Sequence, residues 1–112
     1  MNQPEKFTLC DEKNPNVWVA VEAEIKDGCL KISGQDLGQL PTELFGGSDC
    51  EYFYDFDREN TERLLSLLAE RDNAGRGAGA LLLENFSGME GCGRLREFCA
   101  ANRIKYQFST WT

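Results

Sequence analysis

The feature that most constrains the fold is the stretch VWVAVEAEIKDGCLKIS, residues 17–33, because it specifies both a strand and a turn. Apolar side chains occupy the odd positions of Val17–Ile25, and glutamates occupy two of the even positions. Alternation with a period of two residues is typical of a strand with one buried face. The pair Asp27-Gly28 then predicts a two-residue type I′ turn, because both central residues of that turn have positive φ.

This turn also predicts the register of the hairpin. The expected cross-strand pairs are Lys26 with Cys29, Ile25 with Leu30, Glu24 with Lys31 and Ala23 with Ile32. Apolar residues therefore meet on one face, and Glu24 meets Lys31 on the other as a favourable charge pair.

Shorter patterns predict the remaining strands. Alternating apolar residues indicate strands over Phe7–Cys10, Glu51–Phe56 and Ile104–Phe108. The stretch Ser33–Asp49 has the composition of a long glycine-punctuated connection, with one helical turn around Thr42–Phe45.

Helical periodicity begins after the fourth strand. Asp57 or Asn60 is expected to cap a leucine-rich helix that ends before a glycine-rich loop. Two further helices are predicted over Ala78–Phe86 and Gly93–Ala101, with Asn102 in the left-handed conformation that often ends a helix.

These elements predict the fold class. The chain of 112 residues has the size of one domain, so we expect a single α+β domain over residues 1–112. Its mainly antiparallel sheet of about five strands would carry two to three helices on one face. The expected inward-facing residues are Val19, Val21, Ile25, Leu30, Ile32, Tyr52, Tyr54, Phe56, Ile104, Tyr106 and Phe108.

Composition argues against most kinds of catalysis. The chain contains no histidine, which is the commonest general base and metal ligand in proteins. Its five cysteines are an odd number without a CxxC pair or a zinc-ligand spacing, so reduced thiols are predicted rather than disulfides or a metal site.

Two short motifs resemble binding signatures but fail in context. The segment Gly75–Ala80, GRGAGA, matches a relaxed dinucleotide-binding fingerprint, but a predicted helix precedes it where a strand is required. The acidic run that starts at Asp55 resembles a calcium loop, but its sixth and twelfth positions are Asn60 and Ser66 instead of glycine and glutamate. We therefore predict no cofactor and no metal.

Charge narrows the class of partner. The chain has 19 acidic and 12 basic residues and a net charge of −7, which disfavours nucleic acid and anionic membranes and favours a basic protein. No apolar run approaches the roughly 20 residues of a membrane-spanning helix. The first residues lack the basic and apolar regions of a signal peptide, so a cytoplasmic location is expected.

The candidate binding site is the sheet face opposite the helices. Aromatic side chains among acidic ones are typical of protein interfaces, because aromatic residues supply most hot spots. The candidate partner-binding residues are Trp18, Glu22, Glu24, Glu51, Phe53, Asp55 and Trp111. An equally weighted alternative is that these rings lie beneath the connection after Ser33 or form a homodimer contact.

Several segments resemble a family of small bacterial proteins of about this length, most of unknown function. The resemblance rests on LKISGQDLG (Leu30–Gly38), SDCEYFY (Ser48–Tyr54), the leucine helix and IKYQF (Ile104–Phe108), and it covers nearly the whole chain. Size and acidity are also similar to those of immunity proteins, which neutralise toxins in the producing cell. The resemblance implies a non-catalytic binding protein, in its most specific form an immunity protein for a cationic toxin.

Two alternatives of other classes stay open. A small enzyme could use a carboxylate or Cys50 near the Ser33–Cys50 loop, in a pocket that contains Asp36, Asp49 or Cys50. The chain could instead be a self-associating structural domain.

Overall fold

A computed structural model describes residues 5–13, 17–38, 49–72 and 75–111. In these ranges the chain forms five strands and three helices. In chain order they are β1 (Glu5–Lys13), β2 (Val17–Lys26), β3 (Cys29–Gly38), β4 (Asp49–Asp55), α1 (Arg58–Glu70), α2 (Ala78–Phe86), α3 (Gly91–Asn102) and β5 (Gln107–Trp111). The strands form one sheet in the order β1-β2-β3-β4-β5, and every neighbouring pair is antiparallel. The predicted α+β class is confirmed.

The β2–β3 hairpin has the predicted turn and the predicted register. Asp27 and Gly28 have φ values of 54° and 79°, so both occupy the left-handed region that the turn requires. All four expected cross-strand pairs are present. Arg58 at the start of α1 donates a hydrogen bond from Nη2 to the carbonyl oxygen of Asp27 at 3.0 Å, which ties the helix to the turn.

The prediction that a connection begins at Ser33 is wrong, because β3 continues to Gly38. Gly34 pairs with Val21 on one side and with Tyr52 on the other. The Tyr52 ring lies over the glycine so closely that a Cβ at position 34 would be 2.0 Å from its Cε2 atom. A covering ring of this kind offsets the weakness of glycine in a strand. The helical turn expected at Thr42–Phe45 lies outside the described residues.

The first strand is longer than predicted and contains a β-bulge between Thr8 and Cys10. Leu9 and Cys10 are both buried, because the bulge inserts one extra residue into the strand. Beyond the bulge the parity of β1 changes, so that Asp11 lies on the same sheet face as Thr8.

The boundaries around the last helix differ from those predicted. α3 ends at Asn102, and Arg103 rather than Asn102 takes the left-handed conformation, with φ 56°. The next residue, Ile104, donates its backbone N–H to the carbonyl oxygen of Cys99 at 2.9 Å, so it still belongs to the helix end. β5 consequently begins at Gln107, three residues later than predicted.

Two buried polar side chains attach α1 to its surroundings. Asp57 caps the helix, and its Oδ1 accepts hydrogen bonds from the N–H and Nδ2 of Asn60. The Oδ1 of Asn60 accepts from the N–H of Lys105 at 2.9 Å. Thr61 Oγ1 accepts from the N–H of Leu30 at 2.9 Å, which satisfies a β3 backbone group beyond the end of β4.

The core lies between the helices and one face of the sheet. Its buried apolar residues are Leu9, Cys10, Val21, Ala23, Leu30, Ile32, Tyr54, Phe56, Leu64, Leu68, Leu81, Leu82, Phe86, Leu95, Cys99 and Ile104. Four expected core residues are only partly buried, namely Val19, Ile25, Tyr52 and Tyr106. Phe108 was expected inside but is 51% exposed, because it lies on the edge strand β5, although its ring still contacts Tyr54. None of the helices in the described ranges has the length and apolar composition needed to cross a bilayer.

Candidate binding site on the open sheet face

The candidate partner-binding residues lie on one face of one sheet. Strand β2 carries Trp18, Glu22 and Glu24, and strand β4 carries Glu51, Phe53 and Asp55. The register aligns Glu22, Ser33 and Phe53 in one row across the strands, and Glu24, Lys31 and Asp55 in the next. Trp111 pairs with Glu51 on β5, but its side chain lies outside the described part of the structure. In contrast to the core face, this face has no buried side chain among those described.

Small residues in the central strands leave a groove on this face. Ala20 and Ser33 lie in the middle of the groove, whereas the larger rings of Trp18 and Phe53 lie diagonally across it. The groove has a volume of about 370 Å³. Its described lining residues are Thr8, Cys10, Asp11, Trp18, Ala20, Val21, Glu22, Ser33, Gly34, Gln35, Glu51 and Phe53.

Three carboxylates line the groove. The Oδ1 atom of Asp11 accepts a hydrogen bond from the indole Nε1 of Trp18 at 2.7 Å, and Glu51 Oε1 accepts from Gln35 Nε2 at 3.0 Å. Both of these carboxylates are therefore oriented by neutral donors. Glu22 is exposed and has no hydrogen bond or ion pair to another described side chain. None of the described residues that line the groove is basic, so its charge is negative.

Lysines of this face lie on the aromatic rings or outside the groove. The Nζ of Lys13 is 4.5 Å from the Trp18 ring centroid, and the Nζ of Lys31 is 5.2 Å from that of Phe53. Both distances are within the range of a cation–π interaction. Lys6 pairs with Glu24 at 3.6 Å, one row beyond the groove. The exposed sides of these rings thus already attract cations.

Sequence reasoning placed residues of β2 and β4 on one face, as the register has them, but did not name five residues of that face that line the groove, namely Thr8, Asp11, Ala20, Ser33 and Gln35. Asp11 was missed because only the bulge in β1 brings it to this face. Ser33 and Gln35 were missed because β3 was expected to end before them. The alternation of Ser33, Gln35 and Leu37 with Gly34 and Asp36 is the signal that could have indicated a longer strand.

A second pocket lies on the helix side of the sheet and contains Asp36. It has a volume of about 320 Å³, and Cys92 and Arg96 of α3 contribute to its lining. The Tyr52 hydroxyl donates to Asp36 Oδ1 at 3.3 Å, and Arg96 Nη1 donates to the hydroxyl oxygen of Tyr54 at 2.8 Å. Burial raises the pKa of both the Tyr52 phenol and the Cys92 thiol, so both stay protonated at neutral pH.

The other residues considered for chemistry form no further site in the described ranges, which leave out two of their side chains. The side chains of Asp49 and Cys50 lie outside the described part of the structure. Cys10, Cys29, Cys92 and Cys99 are free thiols. Among the described residues no group of three or more histidine, cysteine, aspartate or glutamate side chains is arranged to hold a metal ion.

Among the described residues, fold and site define a small α+β protein with helices on one face of an antiparallel sheet and, on the other, which we call the open face, an acidic groove flanked by aromatic rings. Residues 39–48 of the connection that could lie over these rings are outside the described part of the structure. Comparison with family models, with curated proteins and with solved structures found no match to any of them. Its function must therefore be argued from the chemistry of these residues.

Proposed function

We propose that this chain is a non-catalytic protein-binding domain that docks a basic partner on the open face of its sheet. The observation that carries the proposal is the groove, where aromatic rings lie beside carboxylates that no described basic side chain neutralises. Aromatic residues supply large contact areas at low entropic cost, and acidic residues orient and accelerate the approach of a cationic surface.

The charge of this face supports a basic partner. The described strand side chains on it include five carboxylates, those of Asp11, Glu22, Glu24, Glu51 and Asp55, and four lysines, Lys6, Lys13, Lys26 and Lys31, none of which lines the groove. The whole chain has a net charge of −7, so its long-range field attracts a basic partner just as the acidic groove does at short range. In its most specific form, the proposal is a cytoplasmic immunity protein that masks a basic surface of a toxin.

A pair of phenylalanine variants tests this proposal. Phe53 lies on the open face, and Phe108 lies on the opposite face of the adjacent strand with a more exposed ring. We expect immobilised wild-type protein to retain a basic protein from a lysate of its native cells. Phe53→Ser should lose that protein, whereas Phe108→Ser should retain it. Quantitative mass spectrometry of the eluates measures the difference, and thermal unfolding of both variants verifies that each is folded.

Two results would contradict the proposal. One is that no protein is retained by the wild type and lost by Phe53→Ser. The other is that the protein lost is acidic, or that Phe108→Ser loses it equally. Because an electrostatic complex weakens with salt, retention should also fall as ionic strength rises from about 0.05 to 0.5 M.

The pocket around Asp36 favours one second candidate, a small enzyme. It brings a carboxylate, a phenol, a thiol and a guanidinium together on the helix side of the sheet. The raised pKa of Cys92 predicts slow alkylation by iodoacetamide at pH 7. A Cys92 alkylation rate above that of the exposed Cys29 would instead indicate an activated nucleophile and would favour the enzyme.

Self-association is the remaining alternative, and the edge strand β5 is where it would occur. β5 has the sequence QFSTW without a charged residue, whereas β1 at the other edge carries several charges and a bulge. Uncharged edges are the ones that pair with further strands. Light scattering distinguishes the cases, because a dimer that is lost on Phe108→Lys would place the contact at β5.

A further inference from the structure

We propose that the groove binds the guanidinium group of one arginine side chain of the partner. This inference rests on the proposed function and specifies which group of a basic partner enters the open face. It follows from the size of the groove, the placement of its acceptors and the rings at its ends.

The size of the groove fits a single long side chain. Ligand pockets range from about 300 to 1,000 Å³, and the groove has about 370 Å³, near the lower limit. Its floor lies on the regular β2–β3 pairing, where Ala20, Ser33 and Gln35 present short or amide side chains, and the bulged part of β1 forms one side. Trp18 and Phe53 are the aromatic residues among its lining, and one side chain of a partner fits the space beside them.

The acceptors fit a planar group with several donors. A guanidinium carries five N–H donors in a fixed plane, and each of the carboxylates of Asp11, Glu22 and Glu51 has at least one oxygen that no described side chain occupies. These carboxylates come from three different strands, so they surround the groove instead of meeting at one point. A compact ammonium ion can contact one or two of them, whereas a guanidinium can contact acceptors on different sides at once.

The aromatic residues strengthen the preference for arginine. A guanidinium is weakly hydrated and stacks on aromatic rings, whereas an ammonium ion keeps its water more strongly. Lys13 and Lys31 already lie over Trp18 and Phe53 but do not line the groove. An apolar side chain would desolvate the three carboxylates without compensation, which is costly.

A titration with amino-acid amides tests the inference directly. ¹⁵N-labelled protein is titrated with Nα-acetyl-arginine amide, Nα-acetyl-lysine amide and Nα-acetyl-norleucine amide. We expect the arginine compound to shift the amide resonances of Ala20, Ser33 and Gln35 and the Trp18 indole resonance. The lysine compound should bind several-fold more weakly, and the norleucine compound should leave these resonances unchanged.

A matched pair of charge variants locates the binding. Glu22→Gln removes a groove carboxylate, and Glu62→Gln removes an exposed carboxylate from helix α1, so both change the net charge equally. Loss of one charge-assisted hydrogen bond predicts that Glu22→Gln weakens arginine binding about threefold to tenfold. Glu62→Gln should leave it unchanged.

Each result has a defined meaning. Arginine-induced shifts outside the groove, or equal effects of both glutamine variants, would overturn the inference. Equal affinity for the lysine compound would overturn the choice of arginine while leaving docking on the open face intact. If arginine binds in the groove but Phe53→Ser retains every protein that the wild type retains, the groove assignment stands and the proposed protein-binding function is wrong.

Discussion

Replacement of Gly34 by alanine tests the packing on which the centre of the sheet depends. The new Cβ would lie 2.0 Å from Cε2 and 2.2 Å from Cζ of Tyr52, so the ring must move. Overpacking of this kind costs about 1–3 kcal/mol. Alanine in a strand is about 0.5–1 kcal/mol more favourable than glycine, which offsets part of that cost. We therefore expect Gly34→Ala to lower the free energy of unfolding by about 1–2 kcal/mol.

The same substitution should have the opposite effect once the ring is removed. A Tyr52→Val background removes the three atoms nearest to the new Cβ, and there Gly34→Ala should stabilise the protein by about 0.5–1 kcal/mol. The difference between the two backgrounds predicts a coupling energy of roughly 2 kcal/mol, a usual value for residues in contact. Valine is β-branched and, like tyrosine, is favoured in strands.

The assay is equilibrium urea unfolding followed by circular dichroism for wild type, both single variants and the double variant. An equal cost of Gly34→Ala in both backgrounds would refute the reasoning, because it would show that positions 34 and 52 are not energetically coupled. A second readout is the Tyr52 hydroxyl, which donates to Asp36 and should lose this hydrogen bond in Gly34→Ala.

Three further predictions follow from buried or capping groups. Thr61→Val keeps the shape of the side chain but leaves the N–H of Leu30 without its acceptor. It should lower the free energy of unfolding by about 1–3 kcal/mol and speed hydrogen exchange of the Leu30 amide. Thr61→Ser retains the hydroxyl and should keep that amide protected. The hydrogen bond from the N–H of Asn60 is the main cause that lowers the pKa of Asp57. The ionised Asp57 therefore contributes its full stabilisation of the folded state above 3.8, the ordinary pKa of an aspartate, and this stabilisation is lost as pH falls through the lower folded pKa. Asp57→Asn should therefore flatten the acid side of the stability profile measured by urea unfolding. Burial raises the pKa of Cys99 to about 11, so a thiol reagent at pH 8 should label Cys29 in the folded protein and Cys99 only after unfolding; equal labelling would contradict the placement of Cys99 in the core.

Local chemistry predicted the turn and the register of the hairpin, though not the end of β3, and it predicted both limits of the second helix. The hairpin was predictable because the turn pair Asp27-Gly28 and the alternation on both sides of it agree. α2 was predictable because its limits, Ala78 and Phe86, follow from glycines before it and a serine and glycine after it. In both elements the determining residues are close together in the sequence.

Errors arose where distant residues decide the structure. Gly34 would end a strand by itself, but Tyr52 on the neighbouring strand covers it. The residue Ile104 alternates with Tyr106 like a strand, but its N–H is used by the end of α3. The groove is a further example: side-chain parity predicted which residues of β2 and β4 share a face, but the β1 bulge that brings Asp11 to the groove depends on pairing with β2.

The order of the strands has a consequence for how the chain folds. Strands β1 to β4 are sequential neighbours and can form by successive short-range pairing, but Asp55 and its partner Gln107 on β5 are 52 residues apart (107 − 55). Each doubling of a closed loop costs about 0.6 kcal/mol in entropy, so this closure costs roughly 3 kcal/mol more than that of a two-residue turn. Asn60 reduces this entropic cost, because its hydrogen bond from the N–H of Lys105 fixes the chain two residues before β5 begins. We therefore expect β5 to pair with β4 last, after the three helices have brought the two ends of the β4–β5 connection together.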